Sequence, residues 1–217
     1  MRIRWLGHSC FLIETGNVKI LTDPYNPSTG YKASFPEVDL VLVSHEHGDH
    51  NCVKKVKAFK KVLKEGTEEF DGVKITAIPY FHDNAQGAKR GKISLFRIEA
   101  ENMVLAFLSD LGTLLTEKEL EALGQPNVIF LPVGGFFTIG PDEAWKVIDQ
   151  LKPIIAIPMH YKTKYASFFL KTVLRDLDAF VKDHPYEQLD VLEITKENLP
   201  EPTKIVSLNF NPILEKA

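Results

Sequence analysis

The chain has 217 residues, of which 44% are hydrophobic, and this is enough to bury one substantial core. We therefore expect a single domain over residues 1–217. The formal net charge of −3 provides no overall attraction to nucleic acid, and no apolar run is long enough to cross a membrane. Composition and charge thus exclude nucleic acid and membranes as expected partners.

The amino-terminal sequence also bears on location. It lacks a charged segment followed by an apolar stretch and a cleavage site, so we expect a cytoplasmic protein. The two cysteines, Cys10 and Cys52, are too few for a disulfide framework and are predicted to stay thiols. We interpret Cys52 as a packed residue rather than a nucleophile.

Strand-forming patterns occur along the whole chain. Runs of apolar and β-branched residues, separated by turn residues, predict most of these strands. They cover residues 2–6, 10–14, 18–22, 38–43, 73–79, 93–98, 103–108, 128–133 and 154–159, with two more near Val191 and Ile205.

Four helices are predicted between the strands. The first covers residues 52–65, because Val56, Phe59 and Leu63 recur at helical spacing before Gly66, a favourable stop. The other three begin at Thr116, begin near Pro141, and span about residues 165–182.

The most informative motif follows the predicted strand 38–43. His45, His47, Asp49 and His50 place three imidazoles and a carboxylate within six residues, although the whole chain has only seven histidines. Imidazole nitrogen and carboxylate oxygen suit zinc, iron or manganese. A solvated polar loop is the alternative interpretation, but the preceding buried strand favours a metal site at a sheet edge.

The pattern His45-x-His47-x-Asp49-His50 resembles the signature of the metallo-β-lactamase fold superfamily of binuclear metallohydrolases. The resemblance implies three further ligands, each directly after a later strand: His82, Asp110 and His160. It assigns His45, His47 and His82 to one metal ion and Asp49, His50 and His160 to a second, with Asp110 as the bridge. It also implies an α/β fold, a four-layer αββα sandwich.

Within the superfamily, four segments look like the small cytoplasmic metal-dependent hydrolases related to ascorbate-phosphate lactonases. These segments are residues 5–14, 22–24, 131–135 and 157–161. The resemblance implies two divalent metal ions as cofactors, zinc first, with manganese and iron as alternatives. The chain is too short for the large inserted domain of nucleic-acid-processing members, and acidic residues do not replace the motif histidines as in di-iron oxidoreductases.

The expected activity is hydrolysis of a small intracellular ester, lactone or phosphodiester, with metal-bound hydroxide as the nucleophile. Asp49 is predicted to orient that hydroxide as well as to bind metal. The alternative is a metal-containing protein that binds a small anion without turnover. The sequence does not decide whether the chain forms a homo-oligomer.

Four residues outside the ligand set are further candidates, each with a structural alternative. His8 either contacts substrate or is a hydrogen-bonded structural histidine. Asp23 accepts a bond from a ligand imidazole or caps a turn. Gly135 lines the pocket or only forms a tight turn, and Tyr161 binds a substrate anion or only begins the next connection. The loop of residues 83–92 is a candidate lid whose closure the sequence leaves open.

Overall fold

A computed structural model describes residues 1–213 and contains sixteen strands and four α-helices there. The strands are β1 (Arg2–Gly7), β2 (Cys10–Thr15), β3 (Val18–Thr22), β4 (Phe35–Glu37), β5 (Leu40–Leu42), β6 (Val56–Ala58), β7 (Lys61–Leu63), β8 (Thr67–Phe70), β9 (Val73–Phe81), β10 (Lys92–Ala100), β11 (Met103–Phe107), β12 (Val128–Pro132), β13 (Ile155–Met159), β14 (Tyr186–Leu189), β15 (Leu192–Glu193) and β16 (Lys204–Leu208). The helices are α1 (Glu117–Leu123), α2 (Pro141–Leu151), α3 (Phe168–Val173) and α4 (Leu177–Val181).

Two large sheets form the centre of the molecule. The first has the strand order β15-β1-β2-β3-β5-β7, and the second has the order β14-β16-β13-β12-β11-β10-β9-β8. Phe11 of β2 contacts Phe130 of β12, with ring centroids 4.7 Å apart, so the apolar faces of the two sheets pack together. Cys10 and Cys52 are free thiols, and both are buried.

The helices pack around this core. Trp145 of α2 stacks on Phe180 of α4 at 5.1 Å between ring centroids, and α1 contacts β9. Two packed sheets with helices outside them confirm the predicted α/β class. In residues 1–213, no helix is both long and apolar enough to span a membrane.

The predicted helix over residues 52–65 is wrong. A short 3-10 turn over Val53–Lys55 leads directly into β6 and β7. β7 pairs in parallel with the buried strand β5, and this pairing satisfies the backbone N–H and C=O groups along that edge of β5. The lysines of this stretch are exposed to solvent, which is as usual for an edge strand as for the outer face of a helix; they are Lys54, Lys55, Lys57, Lys60, Lys61 and Lys64.

The long helix predicted over about residues 165–182 is also wrong, because the structure divides it into α3 and α4. Ser167 and Asp176 each cap the start of one short helix by accepting a backbone N–H. Between them, the Arg175 N–H donates to the Gly134 carbonyl oxygen at 2.8 Å. Pairing with the loop after β12 replaces the helical bonds that a continuous helix would make here.

Candidate metal centre

The predicted ligands lie where strands from both sheets end. His82 follows β9, Asp110 lies shortly after β11, and His160 follows β13. β9 and β11 are both antiparallel to β10, and β11, β12 and β13 are parallel, so all three strands end at the same edge. The motif of residues 45–50 follows β5 of the first sheet and lies at the same edge.

Three of the predicted ligands form one compact group. Candidate ligand atoms of His45, His47 and His82 all lie within 4.8 Å of one another. Their rings are 4.5 Å (His45–His47) and 4.9 Å (His45–His82) apart between centroids. These are the residues that the resemblance assigns to the first ion.

A second group contains the residues assigned to the other ion and one more. Candidate ligand atoms of His8, Asp49, His50 and His160 also lie within 4.8 Å of one another. His8 is only 1% exposed, and its Nε2 lies 3.3 Å from Asp49 Oδ2. The structure thus places His8 among the predicted ligands.

Asp110 lies between the two groups. Its Oδ2 atom is 3.2 Å from His50 Nε2 and 3.5 Å from Nε2 of both His82 and His160. Its Oδ1 atom is buried and has no hydrogen-bond partner in residues 1–213. A carboxylate at this position reaches toward both groups, as the predicted bridge requires.

The protonation preferences suit a divalent cation. Burial lowers the pKa of His45 to about 2 and the pKa of His160 to about 4, so both imidazoles are neutral near neutral pH and retain a lone pair. Burial alone would raise the pKa of Asp110, but His160 and His50 hold it well below the usual value. Neutral His45 and His160 with an ionised Asp110 are favourable ligands for zinc, iron or manganese. His50 differs, because burial lowers its pKa but the nearby carboxylates of Asp110 and Asp49 raise it well above the usual value, and a bound cation would take the place of its proton.

Several buried polar atoms in the cluster have no hydrogen-bond partner within the described residues. They are His45 Nε2, His50 Nε2, His82 Nδ1, His160 Nδ1 and Asp110 Oδ1. Burying a polar atom without a partner is costly, so such atoms usually have a ligand or an ion nearby. A metal ion bound within the cluster would satisfy His45 Nε2, His50 Nε2 or Asp110 Oδ1, and the residues present therefore fit the predicted cofactor.

Asp23 lies behind the cluster and supports it. Its Oδ2 is 2.8 Å from His50 Nδ1 and accepts from Ser44 Oγ at 2.6 Å, while its Oδ1 accepts from the Ser44 N–H at 2.8 Å. Ser44 Oγ also lies 2.8 Å from His45 Nδ1. Asp23 thus lies next to the imidazole of the predicted ligand His50, and Ser44 extends the same network to the predicted ligand His45.

The sequence interpretation missed the roles of Ser44 and Gly112, and it expected a close backbone approach only at Gly134 and Gly135. A Cβ atom at Gly112 would lie 2.3 Å from the His82 carbonyl oxygen, and one at Gly134 would lie 2.2 Å from the His160 carbonyl oxygen. Only glycine allows the backbone to approach a neighbouring strand end this closely. The sequence signal was limited to glycine near the ends of predicted strands.

Two cavities adjoin the cluster. One of about 320 Å³ is lined by ligands from both groups and by Lys89, Arg90 and Phe137. A larger cleft of about 890 Å³ shares these last three residues and includes Gly135. Gly135 therefore lines the larger cleft and not the small cavity that contains the predicted ligands.

The structure does not place Tyr161 at either cavity. Its ring is buried and stacks on Trp5, with centroids 5.6 Å apart, and its hydroxyl lies 3.4 Å from Ser207 Oγ. This packing position does not favour the predicted contact with substrate.

The chain is similar to known proteins over most of its length. A family model described as a β-lactamase superfamily domain matches residues 2–160, which include every predicted ligand. UPF0173 metal-dependent hydrolases of Methanopyrus kandleri and Pyrococcus abyssi are 32% and 34% identical over 196 and 194 residues, in each case 75% of this chain and 85% of the relative.

A solved structure extends the match to nearly the whole chain. It is a crystal structure from Thermotoga maritima, described as a Zn-dependent hydrolase of the metallo-β-lactamase superfamily, with 36% identity and a TM-score of 0.78. The alignment covers 95% of this chain and 97% of that one. The chain therefore belongs to the β-lactamase superfamily, and its fold is that of the metallo-β-lactamases.

Proposed function

We propose that this protein is a hydrolase with two divalent metal ions that cleaves a small ester, lactone or phosphodiester. The observation that carries the proposal is the pair of ligand groups on either side of Asp110. His45, His47 and His82 would hold one ion, and Asp49, His50 and His160 the other. Bound there, such ions would lower the pKa of a water molecule and polarise the bond to be cleaved.

The chain's own residues supply orientation and charge. Asp49 accepts a hydrogen bond in the second group, and the neighbouring His50 holds its pKa below the usual value although burial opposes this. An ionised Asp49 is able to orient an attacking water molecule as well as to bind a cation. Zinc is the proposed metal, supported by the ligand set and by the description of the relative from Thermotoga maritima.

The cavity next to the ligands supports a small-molecule substrate in the proposed reaction. Its volume is about 320 Å³, which is near the lower end of ordinary ligand pockets. We further propose that this substrate is intracellular and that the protein acts in the cytoplasm.

The direct test compares the wild type with Asp110→Asn on a panel of esters, lactones and phosphodiesters after loading with zinc or manganese. We expect turnover by the wild type and a loss of ~100-fold or more in the variant, because the bridging charge is removed. Asp71→Asn is the control, since Asp71 lies exposed in a turn between β8 and β9 and should change nothing. No turnover on any substrate with bound metal would contradict the proposal.

The alternative, a metal-containing protein that binds a small anion without turnover, predicts a different result. In that case an anion would raise the melting temperature of the metal-loaded protein while no member of the panel is hydrolysed.

A further inference from the structure

Two cations face both cavities beside the ligand cluster. Lys89 and Arg90 lie in the loop that follows β9, and each lines the small cavity and the larger cleft. Within residues 1–213, neither side chain has a carboxylate within 4.0 Å. Their charges are therefore not neutralised by a neighbouring acid in the described part of the chain.

The loop that carries these cations is fixed at its base by Asp83. The buried Asp83 carboxylate accepts hydrogen bonds from four backbone N–H groups of the loop. The donors are the N–H groups of Ala85 at 2.8 Å, Gly87 at 3.1 Å, Lys89 at 3.0 Å and Arg90 at 2.7 Å. Since Asp83 directly follows the predicted ligand His82, the loop backbone is held next to the cluster.

The guanidinium of Arg90 is also oriented. Its Nη1 donates to the Phe137 carbonyl oxygen at 3.3 Å, and its Cζ lies 5.3 Å from the centre of the Phe137 ring. A guanidinium has five N–H donors, and its other donors have no protein acceptor in the described residues. An oriented guanidinium with free donors is suited to bind a carboxylate or a phosphate through two parallel bonds.

The acidic residues of the larger cleft are already engaged. Asp142 pairs with Lys182 at 2.9 Å, and the Glu143 carboxylate accepts the Gly140 N–H at 3.1 Å. Lys89 and Arg90 are thus two cations that line both cavities, while the carboxylates of Asp49 and Asp110 in the smaller cavity would be offset by the proposed metal ions. With these ions bound, the surroundings of Lys89 and Arg90 should attract an anion and should disfavour a cationic ligand.

We propose that Arg90, assisted by Lys89, binds an anionic group of the substrate, a carboxylate or a phosphate, next to the bond that is cleaved. The proposal deepens the proposed hydrolase function and rests on it. Because the loop backbone is fixed by Asp83, the subsite is formed before the substrate arrives and requires little ordering on binding.

The test uses three acetate esters with metal-loaded protein: phenyl acetate, para-acetoxybenzoate and para-acetoxyphenyl phosphate, with acetate release as the readout. We expect Arg90→Ala to lower kcat/KM for the two anionic esters by ~10-fold or more and for phenyl acetate by less than about twofold. Lys92→Ala is the matched control, because Lys92 is an exposed cation close to this loop that lines neither cavity, and it should not change any of the three rates.

The two anionic esters separate a carboxylate subsite from a phosphate subsite, and a selective loss on either supports the proposal. Equal losses on all three esters, or none, would overturn the subsite and leave the hydrolase intact. If neither the wild type nor any variant cleaves an ester, ester hydrolysis is excluded from the proposed function, and the binding of inorganic phosphate then tests the subsite by itself. A phosphate-induced rise in melting temperature that Arg90→Ala removes supports it, and a rise of equal size in both proteins overturns it.

Discussion

The Nδ1 atoms of His45 and His50 each contact a neighbouring polar side chain, and their Nε2 atoms face the cluster. His45 Nδ1 lies 2.8 Å from Ser44 Oγ, and His50 Nδ1 lies 2.8 Å from Asp23 Oδ2. A hydrogen bond at one ring nitrogen fixes the ring and the position of its proton, so the other nitrogen is presented to a metal ion. Asp23 therefore orients His50 directly and His45 through the hydroxyl of Ser44.

Replacing Asp23 by Asn is expected to weaken metal binding by ~10–100-fold, the usual effect of removing such a supporting acceptor. The amide exchanges one acceptor oxygen for a donor, so one of the three groups that Asp23 now binds loses its partner. The residue has φ 35°, a conformation that Asn tolerates, and the backbone should stay in place. Competition with a chelator measures the affinity, and an affinity equal to that of the wild type would refute the supporting role.

Much of the candidate site could be predicted, because the motif of residues 45–50 resembles a known family signature. That resemblance implied His82, Asp110 and His160 as further ligands, each after an apolar strand run, and the structure brings them to His45 and His50. Ser44 and Gly112 were missed for a physical reason. A hydroxyl contact across two strands, or a close backbone approach, depends on the tertiary arrangement and has no local pattern.

At the scale of elements, the ends of β9 and β11 must approach each other closely. Gly112 lies two residues after Asp110, and a Cβ atom there would lie 2.2–2.4 Å from backbone atoms of His82 and Asp83. These backbone atoms cannot move aside to accommodate a Cβ atom as the end of a flexible side chain could. The distance between two predicted ligands therefore depends on the absence of a single methyl group.

We expect Gly112→Ala to displace His82 and to reduce both stability and metal content, with a destabilisation of ~1–3 kcal/mol, typical of overpacking. Gly66→Ala serves as the control, because Gly66 has φ 77° but no atom within 4 Å of the added Cβ. This control should cost stability through backbone strain alone and keep its metal. If thermal unfolding and elemental analysis gave the same result for both variants, the close approach would not matter for the site.

Element type was predicted well for strands and poorly for two helices. Strands such as β9 and β13 show continuous apolar or alternating residues, which burial between layers requires. Residues 52–65 also fit a helical spacing, but pairing of β7 with β5 decided their conformation. Local spacing could not reveal this, because the partner strand lies about twenty residues earlier.

At the scale of the whole molecule, each ligand group takes residues from both sheets. The first group joins His45 and His47, after β5 of the first sheet, to His82 of the second. The second group joins His8, Asp49 and His50 to His160 in the same way. A bound ion in either position would connect the two sheets, so metal binding should also stabilise the fold.

Elemental analysis of the purified protein after equilibration with zinc or manganese is the most direct test of the proposed metal centre. We expect up to two metal ions per chain, bound tightly enough to survive removal of free metal, and a lower melting temperature after treatment with a chelator. A chain that retains no metal, and whose melting temperature and activity are unaffected by either metal, would contradict it.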